Sequence, residues 1–598
     1  PRFMRSLVEV RRRGGRVIVV NPLREPGLVR FKIPSDLRSM LWASRIADLY
    51  IQPTVGGDAM LMVGVMKCLM EQGHLDQMFI DSCVDGWETW AARVSGTSWS
   101  TIVQESGVDR QTIERMAALY SESQHSIFAW AMGLTHHASG VRTIQILSAL
   151  AAARGMIGKP GCGLLPLRGH SNVQGDRTMG IYEKPSEDFL RALGEEFSIS
   201  PPREHGYDTV EAIRAMRDGR VDVFMCMGGN FVSATPDTGV VEEAMTRVGL
   251  TVQVSTKLNR SHAVTGRRAL ILPTLGRTDG DRRGGRDQRV TVEDSMGAVH
   301  ASRGRLAPPS KELLSEVAIL ARLCAAVFEA DGAGSEVTPR ADWAAMESDY
   351  ALIRAHIAKV VPGFERYEER IQKGRSFFLP NGPRDARRFA TVDGKARFTA
   401  NRLEYPRIPP GRLLLQTLRS HDQYNTTIYG KDDRYRGVYG GRRIVLIHPE
   451  DVAEMGFADG DMVDLVSEWT APDGSVRTAV RLLRAAAAGV FVVVIEVVVV
   501  EIIEVVTDGG NLGSRLQVLE PIAFRGSAGG RRFDDLADLV EVVEVVELLE
   551  ILESGYLREV IVLQVDRLGD LFEFVEFVEF LERVGGILGL GGSDWTEV

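Results

Sequence analysis

Residues 130–180 read WAMGLTHHASGVRTIQILSALAAARGMIGKPGCGLLPLRGHSNVQGDRTMG. The middle, Val141 to Ala153, has apolar residues at helical spacing, which predicts a buried helix. Glycines flank it on both sides: Gly133, then Gly155, Gly158, Gly161, Gly163, Gly169, Gly175 and Gly180. A glycine has no Cβ, so its backbone amide can turn towards a ligand. Runs of such amides suit phosphates and other anions. Arg168 stands inside the run with His170, Asn172 and Gln174 close by. A guanidinium on such a turn can donate two parallel hydrogen bonds to an anion.

Working outward, the same arrangement recurs. Arg16 to Val20 (RVIVV) is a short apolar strand ending at Asn21 and Pro22. Ala47 to Gln52 is a second strand, and Gly56, Gly57 and Asp58 then open a helix. A helix start after glycines is an anion site, and Asp58 can either accept from N–H groups or cap the helix. Ser126 to Ala131 is the strand that delivers Gly133. Further on, Val221 to Met227 runs into Gly228, Gly229 and Asn230, and Leu250 to Ser255 runs into Thr256. Alternating strands and helices predict parallel α/β domains, with polar turns at the strands' carboxyl ends.

These stretches resemble the molybdopterin oxidoreductases, the dimethyl-sulfoxide-reductase superfamily. MGLTHHASG, GKPGCGLLPLRGHSNVQG and MGGNFVSATPD carry the likeness, in the family's order, and the formate-dehydrogenase-alpha-like branch is the most similar. The likeness runs from Pro1 to about residue 480 and implies two Rossmann-like domains and a C-terminal β-barrel of double-psi type. It sets the expected boundaries at 1–170, 171–405 and 406–484, with 485–598 as the remainder of the barrel domain.

The family's loops hold two molybdopterin guanine dinucleotides around molybdenum or tungsten. The resemblance therefore assigns cofactor contacts to Asn21, Pro22, Gly56, Gly57, Asp58, Gly133, His136, Arg168, Gly169, Asn172, Gln174, Gly175, Gly228, Asn230, Ser255, Thr256, Thr417, Arg419 and Gln423. His137 is left to packing. Asn21 and Thr256 stand where the family usually has acids that grip guanine. Arg168 matches the arginine beside the metal in formate dehydrogenases, and His170 could contact the pterin or relay a proton. The family's molybdenum ligand, the histidine beside it and any cysteines for a 4Fe–4S cluster belong to a segment preceding the match, so no metal ligand is assigned here.

The implied activity is two-electron oxidation of formate, or conversion of a similar small oxyanion, with electrons passed to a partner subunit or protein. A metal-free structural subunit that keeps the fold is the reading from another class.

Composition is consistent with this. A chain of 598 residues with 44% hydrophobic and 25% charged residues is expected to form several globular domains. A net charge of −9 offers no reason to expect nucleic acid. Cys68, Cys83, Cys162, Cys226 and Cys324 show no CxxC spacing, so they predict neither a zinc set nor a disulfide framework. They fit a reducing compartment, and the cytoplasm is expected. The polar stretch Thr278 to His300 is expected to be a loop lining the substrate funnel. From about Ala485 the chain is rich in Val, Glu and Leu. Val490 to Val506 is broken by Glu496, Glu501 and Glu504, well short of the roughly 20 apolar residues of a membrane helix, so no span is expected.

Overall fold

A computed structural model of the chain describes residues 2–400 apart from 236, 331–337 and 373–374. Between 405 and 495 it describes 405, 408, 411–418, 423–424, 428–433, 436, 438–441, 443–470, 476–487 and 493–495.

The chain opens with helix α1 (Arg2–Arg12), which buries Met4 and Val8. Strand β1 (Ile18–Val20) pairs in parallel with β2 (Leu49–Ile51). Helix α2 (Asp58–Glu71) follows β2 and buries ten of its fourteen residues. A helix apolar all round must be enclosed. Helices α3 (Trp99–Ser106) and α4 (Arg110–Ser121) pack on it, capped by Ser98 and Asp109, whose side chains accept from Thr101 N and Thr112 N. Gly64 permits that approach: a Cβ there would stand 2.8 Å from Ile102 Cγ2 and 3.0 Å from Ile113 Cγ2.

Strand β3 (Ile127–Trp130) leads through the single turn α5 (Met132–Thr135) to α6 (Gly140–Ala152), the helix expected from the central stretch. Strand β4 (Gly163–Pro166) then pairs in parallel with β3. The first α/β region thus holds two separate two-stranded parallel pieces around one core that includes Leu61, Met66, Leu69, Ile113 and Leu150.

The short helix α7 (Val173–Thr178) is followed by a helix over Glu187–Phe197 and then by α8 (Thr209–Arg217), which starts in a capping box between Asp208 and Glu211. Strands β5 (Val223–Met227), β6 (Leu250–Ser255) and β7 (Arg268–Pro273) form an all-parallel sheet in the order β7-β6-β5. The stretch expected to be a polar loop is partly strand. Strands β8 (Val290–Glu293) and β9 (Ala298–Ser302) make an antiparallel hairpin, extended by β10 (Ser376–Phe378). The cause is the β-branched run in QRVTVE, which suits a pleated surface better than a loop. Between β9 and β10 lies α9 (Tyr350–Val360), followed by the turn α10 (Tyr367–Arg370).

The chain then returns to the first core. Phe398 is 8% exposed and meets Trp87 and Trp90 edge-on, with ring centroids 6.1 and 6.3 Å away. Strands β11 (Leu415–Thr417), β12 (Ile444–Ile447), β13 (Met462–Thr470), β14 (Val476–Ala487) and β15 (Val493–Ile495) form a mixed sheet, order β11-β15-β12-β14-β13. Among the described residues this sheet is open. Ile444 and Leu446 of β12 pack on Leu23, so the last sheet is anchored to the exit of β1. Among the described residues no helix is long and apolar enough to cross a membrane.

Asp48 locks α1 onto β2. Its carboxylate takes two bonds from Arg11, 3.0 Å from Nε and 2.8 Å from Nη2, and one from Val17 N at 2.9 Å. The Arg11 hydrogen bond is the chief cause holding this carboxyl below the usual range, against the opposing effect of burial. A lowered native value means the contribution is present above the unfolded range, about pH 4, and is lost as pH falls through the native value. Asp48→Asn is expected to cost about 1–3 kcal/mol at neutral pH, with the gap to wild type closing in acid. Thermal melts across pH check this.

Candidate functional site

Within one parallel sheet every carboxyl end lies on the same edge, so the turns that follow the strands of that sheet share it. Asn21 follows β1, Gly133 and Arg168 follow the paired β3 and β4, and Gly228 and Thr256 follow the paired β5 and β6, in three separate sheets.

At the exit of β1 the backbone N–H of Asn21 donates to Ile51 O at 3.0 Å. Its side chain closes a turn, accepting from Leu23 N at 2.9 Å and donating to Glu25 Oε1 at 3.2 Å. Pro22 O accepts from Gln52 Nε2 at 2.9 Å. Glu25 in turn meets Arg436 Nη2 at 3.3 Å, and Arg436 Nη1 bonds Asp433 at 2.6 Å. Sequence reasoning missed this buried acid–arginine–acid link. Its partners lie about 400 positions apart, and no local spacing joins them.

At the exit of β2, Gly56 has φ of 84°. Gly57 is glycine for packing: a Cβ would stand 2.8 Å from both Glu105 O and Ser106 O. Asp58 is the first residue of α2 and is partly buried. Desolvation pushes its carboxyl above the usual carboxylate range, and His137 opposes that shift. His136, the histidine favoured from sequence, is exposed, and its backbone ends α5 by donating to Met132 O at 2.9 Å.

The β4 exit lies beside the β3 exit. Leu167 N donates to Trp130 O at 2.7 Å, and a Cβ on Gly169 would meet only Met132 Cε, at 4.0 Å. Gly133 has open space where its Cβ would be. Arg168, Gly169 and His170 are exposed. Arg168 Nη2 donates to Gln174 Oε1 at 3.0 Å. Asn172 braces this loop, accepting from Glu293 N at 3.0 Å and donating to Asp176 Oδ1 at 3.0 Å. Gly175 is buried in α7, and a Cβ there would reach 2.2 Å from Asn172 Oδ1.

At the β5 exit, Gly228 and Gly229 have φ of 69° and 76°, with open space beside both. Two successive left-handed residues are a conformation that essentially only glycine adopts at no cost. Asn259 Nδ2 donates to Gly229 O at 2.8 Å, and Ser261 Oγ donates to Asn230 Oδ1 at 2.8 Å. Asn259 and Ser261 also escaped the sequence reading, though the polar run NRSH after a strand was a usable signal. Ser255 Oγ donates to Lys257 O at 2.7 Å, and Thr256 is exposed. Thr417 ends β11 and is exposed. Gln423 begins a two-residue strand, and Arg419 lies outside the described residues. Among the described residues no group of three His, Cys, Asp or Glu is placed to hold a metal ion.

Comparison with known proteins places the chain in a family. The molybdopterin oxidoreductase profile matches residues 9–264, and the molydopterin dinucleotide binding domain profile matches 413–496. An uncharacterized oxidoreductase of Mycobacterium tuberculosis is 52% identical over 484 residues, which are 80% of this chain and 61% of that protein. Protein YdeP of Escherichia coli K12 is 39% identical over 499 residues, 81% of this chain and 64% of that protein. The chain thus spans less than two thirds of the length of these relatives. A Bacillus subtilis protein named for formate dehydrogenase, YrhE, is 27% identical over 237 residues, covering 38% of this chain and 24% of that one. The structure of acetylene hydratase from Pelobacter acetylenicus shares the fold with a TM-score of 0.52 at 16% identity, over 82% of this chain and 67% of that one. The glycine turns at the carboxyl edge of parallel strands and the two matching profiles lead to one conclusion: this chain belongs to the molybdopterin oxidoreductase family.

Proposed function

We propose that the protein is a molybdenum- or tungsten-dependent oxidoreductase acting on formate or a similar small oxyanion. The observation that carries the reading is the exposed guanidinium of Arg168 on a glycine turn, held from one side by Gln174. The residues fit a bound pterin dinucleotide pair. Gly133, Gly169, Gly228 and Gly229 leave open space where a side chain would otherwise stand. Asp58 offers a desolvated carboxyl suited to a guanine's N–H groups.

When bound, such a cofactor supplies the two-electron redox centre. The chain's own share is binding and orientation. Arg168 draws the anion in and stabilises charge as it shifts during reaction. Gln174 limits the guanidinium's freedom, so less entropy is lost on binding. His170, two residues on, is placed to exchange a proton with solvent. A partner subunit or protein would accept the electrons. The shared fold with a hydratase means that fold alone selects no reaction; formate rests on Arg168 and on distant likeness.

Protein produced with molybdate and tungstate supplied is expected to carry one of these metals and guanine nucleotide, measured by elemental analysis and by chromatography of the denatured extract. Absence of both would favour a metal-free structural subunit. Asp58→Ala is expected to lower the released nucleotide several-fold. Arg168→Ala is expected to lower kcat/KM for formate about 100-fold or more, with metal content unchanged. Equal turnover would remove the role assigned to Arg168.

A further inference from the structure

Both glycine carbonyls of the turn after β5 are tied back. Cys226 Sγ donates to Gly228 O at 3.0 Å, and Asn259 Nδ2 donates to Gly229 O at 2.8 Å. Burial pushes the Cys226 thiol up, so it keeps the proton it donates. A trans peptide is planar, with its C=O and the N–H that follows on opposite sides. Tying back these carbonyls therefore turns the N–H groups of Gly229 and Asn230 away from Cys226 and Asn259. Neither N–H donates to a partner among the described residues.

The Asn230 side chain adds a third donor. Asn230 is 7% exposed. Its Oδ1 accepts from Ser261 Oγ at 2.8 Å, and Ser261 Oγ in turn accepts from Val232 N at 3.0 Å. A hydroxyl has one hydrogen, and this one goes to Asn230 Oδ1, which leaves the NH2 end of the amide directed away from Ser261. That nitrogen has no partner among the described residues. A nearly buried amide with its donor end unmatched is unfavourable alone, so it points to a ligand that accepts. Ser261 N also donates to Asn259 Oδ1 at 3.0 Å, which fixes the Asn259 amide with its NH2 end towards Gly229 O.

We propose that Asn259 and Ser261 are positioning residues that make this exit an all-donor face, and that the face takes a phosphate of the dinucleotide. Successive backbone N–H groups form anion-binding concavities, and phosphate oxygens only accept. The guanine edge that carries N–H groups would set donors against donors here. The inference rests on the reading of a bound pterin dinucleotide and assigns this turn its phosphate end.

The test separates phosphate from base. Full-length protein from cells unable to make the pterin is titrated with GDP, guanosine is measured by its displacement of GDP, and melting temperature is recorded for each variant. Wild type is expected to bind GDP. Ser261→Ala frees the Asn230 amide, and Asn259→Leu, of similar shape, releases Gly229 O. Each is expected to weaken a GDP site about five- to tenfold, the scale of one lost hydrogen bond, with guanosine changed less than about twofold. Ser261→Thr keeps the hydroxyl and is expected to hold GDP within about twofold of wild type. Asn259 is only half-buried, so Asn259→Leu stays readable should Ser261→Ala fail to fold. Unchanged GDP affinity in Asn259→Leu, equal losses of GDP and guanosine, or a wild type that binds no GDP overturns the proposal. Protein that loads metal normally, yet binds GDP without regard to Ser261 and Asn259, loses this inference alone. Protein that takes up no metal, yet binds GDP through Ser261, keeps this site and loses the oxidoreductase reading.

Discussion

The helix Asp58–Glu71 has almost no solvent face, and the first half of the structure follows from that. Enclosing it takes four other helices and draws together segments from Val94, Ile102, Ile113 and Leu150. The same enclosure carries Asp58, its first residue, into a desolvated position at the strands' carboxyl edge. A helix start supplies free N–H groups there. One packing requirement thus produces both the core and a polar, poorly solvated corner beside it.

Around that corner the turns divide into two kinds. Some glycines answer to packing: Gly57 and Gly64 lie against neighbouring helices, and Gly175 against Asn172. Others answer to open space: Gly133, Gly169, Gly228 and Gly229 have nothing, or one distant methyl, where a side chain would go. Both kinds look the same on the printed chain. The second kind marks the surface where a ligand's backbone-hugging groups can approach.

The polar side chains show a similar division. Asn21, Asn172 and Asn230 direct their side-chain bonds inward and hold loops in shape. Arg168 and Thr256 are exposed. Shape-holding residues stand beside exposed ones within a few positions, because a short loop without a core must be braced by its own polar groups. Glu293 extends that bracing from a hairpin that is distant in sequence.

The chain by itself determined the regular elements and their order. The helices around Asp58 and Val141 and the strands ending at Val20, Ser255 and Pro273 are legible because apolar periodicity, capping residues and glycine turns are local signals. That glycine turns follow the strands was also legible, since each lies directly after an apolar run. Tertiary structure decided which side chains meet. Glu25 meets Arg436, and the Glu293 backbone backs the Arg168 loop through Asn172. Each of these depends on the roll of a short element, or on chain segments far apart in sequence. Only packing sets those, because a rotation of one residue reverses what a side chain faces while leaving the periodicity of the sequence unchanged.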